Sequence, residues 1–570
     1  MKIIIARTAG FCMGVRRAVD LVLDASNTNQ GPICTYGPLI HNPQVLEMLR
    51  EKGIPFISTI PETGNGIVLI RAHGVPPQDQ KALADAGFTV VNATCPRVIR
   101  VQTIIRKHAE KGYNAIIVGD RDHPEVRGLL GYAAGKGMTA SSLEEFKQLP
   151  RFDKAVVVAQ TTQDTSLYGD VKAWTTENLP HYKVYDTICD STEKRQAEVR
   201  AIAGQSDAVI VVGGKESGNT RRLAQIAGET GKPSFHIEDV SELDVSSLSS
   251  ARSIAITAGA STPNWVISKT FRAIEEALHQ RHNPLMSFVL LCRNFLLKTN
   301  LFLALGAGCL TYACTSIQGL DRNLYHATVA MLYILSMQII NNLFSIKSDR
   351  YNNPGRAAFY SSNKQVLTLL ALTSGASGLY LSFSNNLQSF VLLTVMSVLG
   401  LSYNRRILPA WATKRRLRRI KDIPGSKTIL ISAAWGTVTS LLPAFSSPGS
   451  ASFIPGFLFA TGLVFARTAF FDVLEMQGDR ITGKETLPIL LGEKRSFRLI
   501  RQVLAGSSIV MAGSAISGLV TWTGMALALL PLTMLYIIVS SQNGKILPGT
   551  RLEFVVESHF ILAGLLAGLL

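Results

Sequence analysis

The feature that most constrains this chain is a series of charge-free stretches beyond residue 300. They run over 300–320, 323–346, 365–404, 428–466 and 502–543, with a shorter apolar run over 554–570. A helix needs roughly 20 apolar residues to cross a bilayer. Three stretches are long enough for two crossings each, with breaks at Ser384-Asn385-Asn386, Ser446 to Ser450 and Thr523-Gly524. The pattern predicts an all-α polytopic membrane domain of about nine transmembrane helices.

Charge placement adds an orientation. The chain has 57 Lys and Arg against 40 Asp and Glu, a net +17, yet only 17% of its 570 residues are charged. The basic residues cluster in short loops, over 347–364, 405–427, 472–501 and 545–551, which all fall on one side of a nine-span arrangement. Basic loops stay on the cytoplasmic face, so the expected location is the cell (inner) membrane, multi-pass. No basic stripe interleaved with aromatics occurs, and nucleic acid is excluded as a partner. The opening MKIIIARTAGFC lacks the apolar core of a secretory signal, which leaves the first half in the cytoplasm.

That first half reads differently. Up to about Ser268, apolar runs such as IVLI, AIIV, AVVVA, AVIVV and SIAITA alternate with polar helix-like segments, the signature of buried parallel strands in an α/β unit. Composition changes at Asn283-Pro284, giving domains 1–283 and 284–570. Cys12, Cys95 and Cys189 lie about eighty to ninety residues apart, each just past an apolar run. Equal spacing suggests three lobes, each delivering one thiol to a common centre. Dispersed cysteines are ordinarily buried structural thiols, but here the neighbouring strands also end in polar residues: His73, His123 and Glu125, Thr161 and Thr162, Ser217 and Asn219, and Ser261. Ligands sit outside the carboxyl ends of strands in such sheets, and a ring of His, Ser, Thr and Asn suits a phosphate. Glu125 after Pro124 reads either as a solvated helix-start carboxylate or as a general acid. Cys34, Cys292, Cys309 and Cys314 read as ordinary thiols.

The motifs AGFCMGVRRAV, GPLIHNPQV, RAHGV, ATCP, DHPEV, QTT, DTIC, the segment from Ser217 to Arg221, and TAGAST resemble, in that order, the LytB-type 4-hydroxy-3-methylbut-2-enyl diphosphate reductases. The resemblance covers about residues 1–280 and implies an α/β three-lobed reductase. It implies a 4Fe-4S cluster on Cys12, Cys95 and Cys189, and a diphosphate bound by His41, His73, His123, Thr161, Ser217, Gly218, Asn219 and Ser261. It also implies catalysis by Glu125, Thr161 and His123, and a one-electron donor such as ferredoxin or flavodoxin. Gly218 stands where the family often has Ser, so a backbone contact would replace one hydroxyl. Three thiolates leave one iron without a protein ligand, whereas clusters that only transfer electrons usually have four.

In the second half, NNLFSIKSD at 341–349 and FFDVLEMQGDRITGKETLP at 470–488 place acids at two span ends. Asp472, Glu475 and Asp479 at i, i+3, i+7 are expected to stack on one helical face. Such a face repels itself unless Mg2+ bridges it to phosphates. These segments, with IKDIPGSK at 420–427, resemble the UbiA-type intramembrane prenyltransferases. The family's first motif reads N-D-x-x-D-x-x-x-D; here Asn341 is followed by Asn342, Ser345 replaces the second acid, and Asp349 alone remains. The resemblance implies prenyl diphosphate substrates, Mg2+ held by Asp349, Asp472, Glu475 and Asp479, a lipophilic acceptor in the bilayer, and diphosphate contacts from Lys421 and Arg467. Two readings stay open: a bifunctional reductase and prenyltransferase, or a reductase tethered by a catalytically lapsed anchor or lipid-binding module. A third, two unrelated binding modules, lacks an iron-sulfur cluster.

Overall fold

The runs read as strands are buried on both faces, as parallel strands covered by helices must be. In the computed structural model, residues 2–28, 31–248, 251–279, 284–320, 324–403, 423, 425–446, 451–542 and 549–570 are described. They divide into two units, Met1–Leu278 and His279–Leu570.

The described residues of the first unit hold twelve strands. In chain order they are β1 (Lys2–Ile5), β2 (Ile33–Tyr36), β3 (Phe56–Ile57), β4 (Ile67–Ile70), β5 (Thr89–Asn92), β6 (Asn114–Val118), β7 (Gly137–Ala140), β8 (Ala155–Ala159), β9 (Lys183–Val184), β10 (Ala208–Val212), β11 (Ser234–Ile237) and β12 (Ser253–Ala258). They form three four-stranded sheets, β3-β2-β4-β5, β7-β6-β8-β9 and β11-β10-β12-β1. Every pairing is parallel. The three sheets share one order, and the chain's first strand completes the third, pairing Ile3 with Ile254. The unit is three α/β lobes, each repeating one topology.

Helices follow from caps at the strand ends. The Asn42 side chain accepts the Val45 N–H ahead of Pro43–Glu51, and the Asp164 carboxylate accepts two amides at the start of Thr165–Asn178. Each cap satisfies amides that a helix start leaves open.

The second unit is all-helical in its described residues. Six helices are long and apolar enough to cross a membrane: Leu324–Asn352, Lys364–Asn385, Phe453–Leu474, Glu493–Ile516, Thr523–Gln542 and Thr550–Leu569. A seventh candidate is the pair Ser287–Lys298 and Leu301–Ile317, bent by 75° at Asn300, whose φ of 61° is left-handed. Among the described residues, length and apolarity thus support six or seven crossings, short of about nine. Leu387–Ser402 has only 16 residues, and the helical stretch from Ser426 to Ala444 is interrupted by a π-helical turn over Thr437–Leu441. Small residues bring these helices together. A Cβ on Gly564 would lie 2.7 Å from the Cys309 Cβ, and one on Gly306 would lie 2.9 Å from the Phe560 Cβ, the close packing membrane helices favour. Leu369, Leu372 and Tyr380 are exposed on the outside of the bundle, as lipid-facing residues should be.

Candidate functional site

In each sheet of the first unit the two central strands lead away in opposite directions, which opens a crevice at their carboxyl ends. The polar residues cluster there. His41 follows β2 and His73 follows β4; His123 follows β6 and Thr161 follows β8; Ser217 and Asn219 follow β10 and Ser261 follows β12. The edge strands β1, β5 and β9 lead instead to Cys12, Cys95 and Cys189.

Contacts across lobes bring these ends together. The His41 and His73 rings lie 4.7 Å apart, His73 and His123 5.4 Å, and His41 and His123 5.9 Å. The Ser261 hydroxyl donates to the His41 carbonyl at 3.1 Å and lies 3.3 Å from the Ser217 hydroxyl. A Cβ on Gly218 would come within 3.3 Å of His123 Nε2, so the Gly218 backbone faces the imidazoles directly. Thr162 accepts from the Gln160 amide at 2.9 Å.

Among the described residues, only His41, His73 and His123 gather three candidate metal-ligating atoms within 4.8 Å of one another. Their chemistry favours an anion instead. Burial holds all three below the ordinary imidazole range, His123 to about 3, so the rings are neutral. His123 Nδ1 accepts the Glu125 backbone N–H at 3.1 Å, which assigns the proton to Nε2, a donor and not a ligand. His41 Nε2, His73 Nδ1 and Asn219 Nδ2 are buried without a hydrogen-bond partner. Unpaired buried polar atoms are costly, and a phosphate oxygen would relieve all three. Arg71 and Arg221 add positive potential at His41 and His123. Neither arginine was singled out from the sequence, although Arg71 opens RAHGV and Arg221 ends the Ser217 segment.

Beside this pocket Glu125 is 2% exposed. Burial pushes its carboxyl up to about 7, against two opposing hydrogen bonds from Thr161. The solvated-carboxylate alternative is removed by that burial.

The thiols occupy helix starts. The Val15 N–H points to Cys12 Sγ at 3.4 Å; the amides of Arg97 and Val98 donate to Cys95, and those of Ser191 and Thr192 to Cys189. Gly14 leaves room for the neighbouring lobe, since a Cβ there would lie 2.4 Å from Cys95 Sγ. The buried Arg195 guanidinium donates to the Gly10 carbonyl at 2.6 Å and the Ala258 carbonyl at 3.0 Å; it lies in Coulombic range of Cys12 and Cys189. Three thiols among amide dipoles and a buried cation suit an anionic multi-iron cluster. The three thiols lie within Coulombic range of one another. Cys34 is half-buried in β2, away from these helix starts.

Residues 3–275 match the LytB protein family. The 4-hydroxy-3-methylbut-2-enyl diphosphate reductase of Trichlorobacter lovleyi is 40% identical over 279 residues, covering 48% of this chain and 98% of that protein. The chain belongs to the LytB family. The reductase of the same name from Nitratidesulfovibrio vulgaris is 45% identical to the LytB unit over 279 residues, covering 48% of this chain and 99% of its own. A solved Plasmodium falciparum structure, the E-1-hydroxy-2-methyl-but-2-enyl-4-diphosphate reductase, is 26% identical, with 50% and 88% of the two chains covered and a TM-score of 0.46. Beyond the LytB unit, residues 300–546 match the UbiA prenyltransferase family.

In the second unit the helix that carries the three acids turns at one residue, yet Asp472, Glu475 and Asp479 remain within Coulombic range of one another. The helix Phe453–Leu474 ends before Glu475, whose φ and ψ of −92° and 0° turn the chain into a short helix, Met476–Ile481. Helical hydrogen bonds continue through the turn, from the Glu475 N–H to the Phe471 carbonyl at 2.9 Å and from the Asp479 N–H to the Glu475 carbonyl at 3.0 Å, and Gly478 allows a close approach, since a Cβ there would meet Asn352 Oδ1 at 1.8 Å. Asn352 Nδ2 donates to Asp479 Oδ1 at 2.8 Å. The bend thus carries Asp479 to the helix that bears Asp349, Asn342 and Ser345. Arg467 pairs with Glu557 and lies 5.1 Å over the Phe471 ring. Lys421 lies outside the described residues.

Proposed function

We propose that the LytB unit, residues 1–283, reduces 4-hydroxy-3-methylbut-2-enyl diphosphate to isopentenyl and dimethylallyl diphosphates. The observation that carries this reading is the set of unpartnered donors on His41, His73 and Asn219 beside the buried Glu125. His41, His73, His123, Thr161, Ser217, Gly218, Asn219 and Ser261 hold the diphosphate with neutral donors and backbone amides. Cys12, Cys95 and Cys189 would hold a 4Fe-4S cluster, which when bound supplies the electrons and, at its one iron without a thiolate, a Lewis acid for the substrate hydroxyl. Glu125, protonated near neutrality, delivers a proton toward the departing hydroxyl through Thr161. His123 fixes the Glu125 backbone and donates from Nε2. A one-electron donor of the ferredoxin or flavodoxin kind supplies the reducing equivalents from the cytoplasm. The test is growth: the full chain should restore a cell deprived of its own reductase, and the Cys95→Ser variant should not. Failure of the folded, expressed wild type to restore growth would remove the proposal.

The second unit, residues 284–570, transfers a prenyl group to a lipophilic acceptor in the cell (inner) membrane. A buried, unpartnered carboxylate oxygen on Asp479 supports a cation there. The competing reading, a lapsed anchor, draws on the neutral Asn342 and Ser345. Incubating membranes with labelled prenyl diphosphates of several lengths separates them. A labelled lipid supports transfer, and none from any donor length supports the anchor.

A further inference from the structure

The acids of the UbiA-family domain are partly neutralised by the chain itself. Asp472, 1% exposed, has both oxygens taken: Oδ1 accepts from Lys427 Nζ at 2.7 Å and Oδ2 from the Thr428 hydroxyl at 2.8 Å. Lys484 Nζ stands 3.6 Å from an oxygen of Asp349 and 3.6 Å from one of Asp479. Those distances are too long for good hydrogen bonds. Asp479 is fully buried, and its Oδ2 has no partner. A buried anionic oxygen left unpaired is a costly arrangement.

We infer that this site takes one divalent cation, held by Asp349 and Asp479, and that the Lys427 ammonium stands where a second cation would lie. The inference rests on reading the second unit as a prenyl diphosphate site. Charge counting supports it. Asp349, Asp472, Glu475 and Asp479 contribute −4 when ionised, and Lys427 with Lys484 contributes +2, leaving −2, the charge that one divalent ion cancels. Acids at Asn342 and Ser345 would raise the residue to −4 and call for two. Mg2+ is commonly bound by one or two carboxylates plus water and phosphate, so Asp349 and Asp479 suffice. Seating a cation on Asp472 would strand the Lys427 ammonium in the protein interior, the costly outcome of splitting a buried pair. The acids thus share one cluster but not one role: Asp472 has both oxygens taken by Lys427 and Thr428, and Asp479 keeps an oxygen for the cation.

The test counts Mn2+, a paramagnetic stand-in, bound to the full-length, cluster-loaded protein in lipid nanodiscs, from the resonance of the free ion. One Mn2+ per chain is expected to depend on Asp479, so Asp479→Asn loses it and Asp472→Asn keeps it. Because Asp472→Asn alone leaves Lys427 buried and could unfold the domain, the double variant Lys427→Met, Asp472→Asn removes the pair as a unit and should also keep the ion. Lys427→Met alone frees Asp472 and should gain a second ion. Two Asp479-dependent ions in the wild type, none at all, or loss of the ion in the folded double variant would overturn the inference. Lipid labelling reads the transferase proposal separately. A protein that binds one Asp479-dependent Mn2+ yet labels no lipid keeps the cation assignment and loses the transfer reaction.

Discussion

Glu125 accepts two hydrogen bonds from Thr161, one from the backbone N–H to Oε1 at 2.7 Å and one from the hydroxyl to Oε2 at 2.9 Å. The two residues follow the adjacent central strands β6 and β8. The strand pairing therefore sets the geometry of this carboxyl, the proposed proton source, and two stabilising contacts are not enough to offset the loss of water around it.

The sign of the pH dependence follows. Glu125 donates a proton only when protonated, and its carboxyl is pushed up to about 7. Turnover should hold on the acid side and decline as pH rises through about 7. Glu125→Gln keeps shape and hydrogen bonding but removes the acid, so it should slow turnover about 10²-fold and abolish the alkaline decline while iron content is unchanged. A pH profile of single-turnover rates checks both effects; an unaltered rate would return Glu125 to a structural role.

Cluster assembly should depend on each of the three strand-end thiols. Cys12→Ser, Cys95→Ser and Cys189→Ser should lose iron and visible absorbance after anaerobic reconstitution, whereas Cys34→Ser should not. Gly14→Ala is a subtler probe. Its new Cβ would displace the Cys95 thiol, lowering iron occupancy with the fold, read by circular dichroism, retained.

The buried donors without partners should matter for affinity. A hydrogen bond to a charged group is worth about 1.5–3 kcal/mol, about 10- to 100-fold in a dissociation constant. Asn219→Ala should weaken diphosphate binding by that order, measured calorimetrically on the cluster-loaded protein. Ser261→Ala should cost less, because its hydroxyl already has partners in His41 and Ser217. Equal losses would argue against a diphosphate seated on Asn219.

Topology can be read with reporters. A fusion after Asn363 should report the cytoplasmic side and one after Asn386 the opposite side. Two cytoplasmic signals would contradict a full crossing by Lys364–Asn385.

The parallel strands were legible because strands buried on both faces are written as contiguous apolar runs, such as AVVVA and AVIVV. The two-residue strands β3 and β9 leave no such trace. The threefold repeat was legible only through the spacing of Cys12, Cys95 and Cys189, since the lobes share strand order and not sequence. The polar residues at strand ends were readable from the sheet rule alone, but the closeness of His41 to His123 and the cations Arg71, Arg221 and Arg195 depend on contacts that only the fold creates. In the second unit the i, i+3, i+7 spacing assumed an unbroken helix. The chain turns at Glu475, and no local pattern announces the contact of Gly478 and Asp479 with Asn352. Lys427 lies 45 residues from Asp472 in sequence, so its pairing was invisible until the helices were placed.

The central claim is that three lobes assemble one reductive site for a prenyl diphosphate precursor. The most direct measurement supplies cluster-loaded full-length protein, under anaerobic conditions with a chemical one-electron reductant, with isotopically labelled 4-hydroxy-3-methylbut-2-enyl diphosphate. The expected result is label in both isopentenyl and dimethylallyl diphosphates, lost in Cys95→Ser. Recovery of unreacted substrate from protein with a full complement of iron would contradict it.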